Sequence, residues 1–426
     1  MKLLRQSLCM FVFAGLLFSA CKRDMFDAEA YNQIINEASV FSDIDPQQTW
    51  NLTSTYVSTV TANAVEADAV KRLMVLSGNP YAEENVEILS EKQCAKGQVI
   101  LLQYNTPTYM KEVYAAIETP DGRWLLKKFA VGQKNVDFST DVLSYKETPD
   151  VTYQTYTYCY EDNYPEPGDN DFNDIVLRIQ KLPAQAENEI RLRISLVAIG
   201  TLRQVAAAIR LTNFNYNDIE SVTTEEGRVF DPEYSLQRIF INRSDLLLKG
   251  LNGEAVLNLF EDAHYAMYPT INKEADGSRA AIRRYYNTSQ VVNGQSSIQA
   301  APKSLTYVIK LKSRPVLEFT LEDIDPFIMK DFNSGRWEVH TFNYKAAQVL
   351  HDQGSSETAN STLMTWALKI PNGSFRYPQE EINIGYYKDG ILTGAYMNYD
   401  HSFGQWVANH NTSLDWFLYP STGMVY

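Results

Sequence analysis

Carboxylates gather at one place in this sequence. Residues 158–180, YCYEDNYPEPGDNDFNDIVLRIQ, carry six of them in 14 positions: Glu161, Asp162, Glu166, Asp169, Asp171 and Asp174. If they converge they repel, and protonation, a basic partner or a cation must relieve the repulsion. Arg178 and Lys181 are the basic residues nearby. A hard divalent cation with oxygen ligands fits this set. Calcium fits more easily than magnesium, because it takes roughly six to eight oxygen ligands in flexible geometry. The expected ligands are Glu161, Asp162, Asp169, Asp171, Asn173 and Asp174.

Asp169, Asp171 and Asn173 stand at i, i+2 and i+4, as in the first half of an EF-hand loop. The rest of that loop fails: Asp174 stands where Gly belongs and Gln180 where Glu belongs. In an extended chain the alternate residues share a face, and Glu161 or Asp162 from the preceding strand would complete the shell. The competing reading is an Asp- and Asn-capped turn whose remaining carboxylates are solvated.

Two strands must hold this loop. Tyr153, Tyr156, Tyr158 and Tyr160 lead in, Pro165-Glu-Pro-Gly168 makes the turn, and Ile175-Val-Leu177 closes it. The motif EDNYPEPGDNDFNDIVL resembles the signature of LruC-domain proteins. The resemblance continues through NGEAVLNLFEDAHYAMYP, DIDPFIM, WEVHTFNYKAA and the tryptophan-rich segments from Trp366 onward, over residues 150–426. Proteins of that family are surface or secreted lipoproteins of Gram-negative bacteria with no established catalytic activity. It therefore implies a location and a β-rich domain, and no reaction.

The N-terminus agrees with export. Residues 1–20 read as a signal peptide: Lys2 and Arg5 precede an apolar run from Leu8 to Leu17, too short to span a bilayer. Phe18-Ser-Ala-Cys21 resembles a bacterial lipobox, with Phe18 bulkier than the usual Leu, so Cys21 is the expected lipidation site and the outer membrane the expected location, periplasmic or cell-surface exposed. Each buried acyl CH2 contributes about 0.8 kcal/mol, so two or more chains anchor firmly.

Composition fits an exported globular protein. Apolar residues make up 45% of the chain, enough for packed cores, and the formal charge of -14 argues against nucleic acid and anionic membrane surfaces as partners. Beyond Cys9 and Cys21, only Cys94 and Cys159 remain; they fall in different expected domains and read as two buried thiols rather than a bridge.

The fold expectation is mainly β. Residues 21–46 form a lipidated tether with a short helix around Phe26 to Phe41. Residues 47–140 form a β-sandwich, in which Leu52, Ser54, Tyr56, Ser58 and Val60 share a face and Thr119-Pro-Asp-Gly122 turns between two strands. Residues 139–152 are a linker, and 150–426 a larger, sandwich-like LruC-type domain. There, residues 190–200 and 205–214 read as consecutive long strands, and Asn252-Gly253 as a turn before a strand at 254–260.

Catalysis finds little support: among five histidines there is no HExxH, and neither GxSxG nor a phosphate-cradling glycine loop occurs. The expectation is a non-enzymatic exported lipoprotein with a calcium-stabilised β domain, acting in adhesion or surface interaction with a protein or glycan. One alternative is carbohydrate binding by C-terminal aromatics, with Trp366, Trp406 and Trp416 as stacking rings; burial of these rings in a core is the competing reading. A second is a hydrolase of unknown substrate with carboxylates far apart in the chain.

Overall fold

The computed structural model describes residues 44–64, 68–164, 168–230, 245–267, 284–289, 297–312, 319–332, 335–341, 354–355, 364–388 and 391–426. The signal segment 1–20, Cys21, the helix expected between Phe26 and Phe41, and Pro165, Glu166 and Pro167 lie outside the described residues.

Alternation of apolar and polar residues builds the N-terminal unit. Strand β1 (Thr53–Thr61) buries Ser58 and Val60 and keeps Thr55 and Val57 exposed, as the even-numbered face requires. The next strands are β2 (Arg72–Leu76), β3 (Glu87–Gln93), β4 (Val99–Pro107), β5 (Glu112–Glu118), β6 (Trp124–Ala130), β7 (Asn135–Asp137), β8 (Leu143–Tyr145) and β9 (Thr152–Tyr153). They form one sheet of order β4-β1-β7 and one of order β8-β6-β5-β2-β3-β9. Val60, Leu73, Val75, Leu102, Tyr104, Ile117 and Leu125 pack between them. At the β5–β6 turn, Gly122 takes φ +83° and its N–H donates to the Thr119 carbonyl at 3.0 Å.

The stretch expected as a free linker is not free. Leu143–Tyr145 pairs with β6, and β9 pairs in parallel with Glu87 and Ile88 of β3. One residue later the chain enters β10 (Thr155–Tyr160), so only Gln154 separates the last strand of the first unit from the first strand of the second.

The larger unit has two six-stranded sheets. Its strands are β11 (Ile175–Leu182), β12 (Glu189–Ala198), β13 (Ala206–Asn215), β14 (Ile219–Thr224), β15 (Leu247–Lys249), β16 (Glu254–Phe260), β17 (Lys303–Leu311), β18 (Ile324–Phe332), β19 (Gly335–His340), β20 (Gly354–Ser355) and β21 (Ala367–Ile370). The first sheet runs β14-β17-β12-β11-β10-β21, the second β15-β16-β13-β18-β19-β20. The consecutive long strands β12 and β13 fall in different sheets, which makes the chain cross the sandwich between them. The turn at Gly253, φ +90°, leads into β16 as its sequence predicts.

Period-two patterning decides what each face of the first sheet buries. Tyr156, Tyr158 and Tyr160 of β10, with Leu177 and Ile179 of β11 and Leu192 and Ile194 of β12, fill the core between the two sheets. Cys159, Val176 and Val197 point the other way, into a third layer made by residues 371–388 and 391–426. That layer is rich in loops, includes the helix Phe403–Ala408, and also takes in Trp50 and Leu52 from the chain before β1.

Here the aromatic expectation fails. Trp406 and Trp416 are fully buried, with ring centroids 5.8 Å apart, and Trp366 retains only 7% exposure. These rings fill the third layer and the sandwich core, and present no open face for a sugar to stack on. Cys94 and Cys159 are both free thiols; Cys159 is buried and Cys94 only half-buried. Among the described residues no helix is long and apolar enough to cross a membrane.

Candidate metal centre

β10 and β11 pair in antiparallel register from Thr155–Gln180 to Tyr160–Ile175, and the loop between them holds the carboxylates. Two backbone features fold it back. Asp174 Oδ2 accepts the Asp162 N–H at 2.6 Å, closing the loop at its base. Phe172 has a φ of +53°, a left-handed conformation that costs a bulky residue about 1–3 kcal/mol. Its ring is fully buried in the third layer, which returns about 1.5–3 kcal/mol and offsets the strain. The neighbours Asp171 and Asn173 are thereby held in fixed directions.

A second segment, 378–384, clasps the loop from outside. Glu381 N–H donates to Asp171 Oδ2 at 2.9 Å, Asn173 Nδ2 to the Pro378 carbonyl at 3.3 Å, and Ile384 N–H to the Asn170 carbonyl at 2.7 Å. From the end of β12, Gly200 N–H donates to the carbonyls of Asn173 and Asp174.

Within this frame Glu161, Asp169 and Asp171 each bring a carboxylate oxygen within 4.8 Å of the others. Glu161 and Asp171 are buried; Asp169 is exposed. Glu161 Oε1 accepts the Phe172 N–H at 2.7 Å, while its Oε2 is buried without a hydrogen-bond partner. Asn173 Oδ1 and Glu380 Oε2 are likewise buried and unpaired. These last two oxygens lie together against Gly200: a Cβ there would stand 1.7 Å from Asn173 Oδ1 and 2.8 Å from Glu380 Oε2.

Three unpaired buried oxygens in one loop system are costly, about 1–3 kcal/mol each, unless a donor or cation meets them. The charges agree. Burial, then repulsion from Asp171 and Asp169, pushes the Glu161 carboxyl well above its ordinary range. Burial and neighbouring carboxylates do the same to Asp171 and Asp174. Although Asp169 keeps an exposed surface, the loss of water around its carboxyl, with Glu381 and Asp162 nearby, raises it too, and burial raises Glu380 to about 8. Chemically the arrangement is a hard oxygen-ligand cradle that a cation would neutralise.

Two expected ligands are placed otherwise. Asp162 is committed: its Oδ2 accepts Thr201 Oγ1 at 2.5 Å, its Oδ1 pairs with the Arg203 guanidinium at 2.8 Å, and its carbonyl accepts the buried Lys330 ammonium. Asp174 gives one oxygen to closing the loop. Both brace the cradle rather than complete it. Conversely, Glu380 is a group that the loop sequence does not reveal. It lies 200 residues downstream of Gln180 in a loop with no local motif beyond a Glu-Glu pair, so only the tertiary fold brings it in.

Among the described residues, the other acidic and histidine side chains form no second group of three or more able to hold a metal. Asp325 pairs with Arg210 at 2.7 Å and with His340 Nδ1 at 2.9 Å, while His340 Nε2 meets Glu338 at 3.0 Å. Although burial opposes it, the two carboxylates raise this imidazole to about 9.

The fold and cradle together define a two-unit, mainly β protein with a carboxylate-rich loop held between the first sheet and the third layer. Residues 188–417 match the model of a domain of unknown function, DUF4842, and the chain belongs to that family. The match takes in Gly200 and Glu380 and begins after the acidic loop. No curated protein matches the chain. Among solved structures, the crystal structure of a "Putative lipoprotein" from Bacteroides ovatus is similar at 16% identity and a TM-score of 0.45, over 84% of this chain and 99% of that one.

Proposed function

We propose that the chain is an exported lipoprotein of the outer membrane, anchored through Cys21, whose larger domain is stabilised by calcium at the acidic loop and acts without catalysis in adhesion or surface interaction. The lipobox-like FSAC at 18–21 supports the anchor, and the LruC-like reading of residues 150–426 supports the location. The observation that carries the calcium reading is the trio of buried, unpaired oxygens, Glu161 Oε2, Asn173 Oδ1 and Glu380 Oε2, beside the converging Asp169 and Asp171. The expected shell is Glu161, Asp169, Asp171, Asn173 and Glu380. A cation there joins β10–β11, the end of β12 and the loop at 378–384, so it would fasten the third layer to the sandwich.

The test is thermal unfolding of the chain from residue 22, with calcium and with chelator. A ligand at about 100 times its Kd stabilises by about 2.7 kcal/mol, and the calcium form is expected to melt several degrees higher. Superimposable curves would remove the calcium reading and leave a protonated carboxyl cluster.

A further inference from the structure

β9 pairs with Glu87 and Ile88, so among the described residues β3 from Leu89 to Gln93 has no strand beside it on that side. Facing this gap is the hairpin that joins β11 to β12. Between them opens a cleft of about 860 Å³ at the junction of the two units. Small-molecule sites commonly occupy about 300–1,000 Å³ and favour domain interfaces.

The cleft runs against the charge of the whole chain. It is lined by five cationic side chains and three carboxylates, an excess of two positive charges in a protein of net charge -14. Most of those cations are already committed. Arg72 pairs with Glu91 and Glu118, Lys71 with Glu118, and Arg191 with Glu225, while Lys92 donates to the Leu101 carbonyl. Lys181 is different: its ammonium has no hydrogen-bond or ion-pair partner among the described residues. It sits on the core-facing side of β11, where the sandwich opens toward the N-terminal unit. Burial pushes it below the ordinary lysine range, and the more distant Glu91 and Asp323 offset only part of that. An anion placed beside it would offset that cost.

Two further lining groups are uncommitted. The side-chain amides of Gln103 and Gln185 have no hydrogen-bond partner among the described residues, and each offers both donors and an acceptor. Tyr153 adds a half-buried ring whose hydroxyl already donates to Glu91 Oε1 at 3.5 Å and can still accept, and Phe319 adds an apolar edge. Amides and a phenol match a ligand rich in hydroxyl groups, which also donate and accept. The cation matches a carboxylate.

We infer that this cleft binds an acidic saccharide of a few sugar units, with its carboxylate on Lys181 and its hydroxyls on Gln103 and Gln185. The site is remote from the buried tryptophans of the third layer and independent of the acidic loop.

Calorimetric titration tests it, with uronate-containing tetrasaccharides (hyaluronan, chondroitin, alginate and oligogalacturonate types) and their carboxyl-reduced counterparts as probes. At least one uronate form is expected to bind, with its reduced counterpart at least tenfold weaker. Lys181→Met keeps the apolar stem and is expected to weaken binding at least tenfold without lowering the melting temperature. Lys181→Arg is expected to retain binding, and Asp169→Asn to leave it unchanged. Binding of none of the uronates, equal binding by Lys181→Met, or binding of hexaglutamate in their place would each overturn the assignment.

Discussion

Replacing Asp169 with Asn separates a cation site from a merely acidic loop, because the two predict opposite signs. Asp169 is the exposed member of the converging trio, and its side chain accepts no hydrogen bond from another residue among those described. The substitution thus removes a charge and little else. At separations up to 4.8 Å, each carboxylate pair repels by about 3 kcal/mol at an effective dielectric near 20. Solvent screening of an exposed group reduces the recoverable part to about 1 kcal/mol. In chelator, Asp169→Asn is therefore expected to raise the melting temperature by about 2–4 °C for a domain of this size. In calcium the same change removes one charged ligand, and ligand charge sets affinity in such sites. A roughly hundredfold weaker Kd takes away about 2.7 kcal/mol of linked stability. Against the gain of about 1 kcal/mol, the variant is expected to melt about 3–7 °C below the wild type. Differential scanning calorimetry of both proteins, with calcium and with chelator, reads the four values directly. A shift of the same sign in both conditions would refute the reasoning, and so would a wild-type protein indifferent to calcium.

Gly200→Ala places a methyl 1.7 Å from Asn173 Oδ1, so Asn173 must leave its position; calcium affinity measured with a competing indicator is expected to fall at least tenfold, while far-ultraviolet circular dichroism keeps its β signature. Glu87 lies at the junction of the two units and accepts the Thr155 N–H at 3.1 Å, with burial raising its carboxyl to about 8. A carboxyl raised in the folded state contributes stability that is complete below its unfolded value near 4.5 and is lost as pH rises through about 8. The wild type is expected to lose melting temperature between pH 5 and 8.5, and Glu87→Gln to flatten that slope; parallel profiles would remove Glu87 as the cause.

Much of the scaffold was legible without coordinates. Strand alternation at Ser58 and Val60 and along Tyr156, Tyr158 and Tyr160 follows from a pleat that sends successive side chains to opposite faces. The glycine turns at Gly122 and Gly253 follow from local backbone sterics. The acidic loop, too, announced itself by composition. Such features involve residues adjacent in the chain, so sequence alone suffices to place them.

Which carboxylates converge is another matter. Asp162 belongs to the same motif as Glu161, yet Thr201 and Arg203 claim it, and both come from the chain after β12. Glu380 comes to lie beside Asn173 from a loop that only the third layer brings near, and Gly200 matters because it leaves room for both. The tryptophans carry the same lesson: an aromatic-rich tail favours a core but also allows a binding platform, and packing against the outer face of the first sheet makes it a core. The cleft beside Lys181 opens where a two-residue strand stops short along β3 and the hairpin between β11 and β12 stands opposite. Local sequence thus determined the strands, the turns and the store of charge. Long-range packing decided which charges face one another and which surface stays open, because those outcomes depend on neighbours hundreds of residues away.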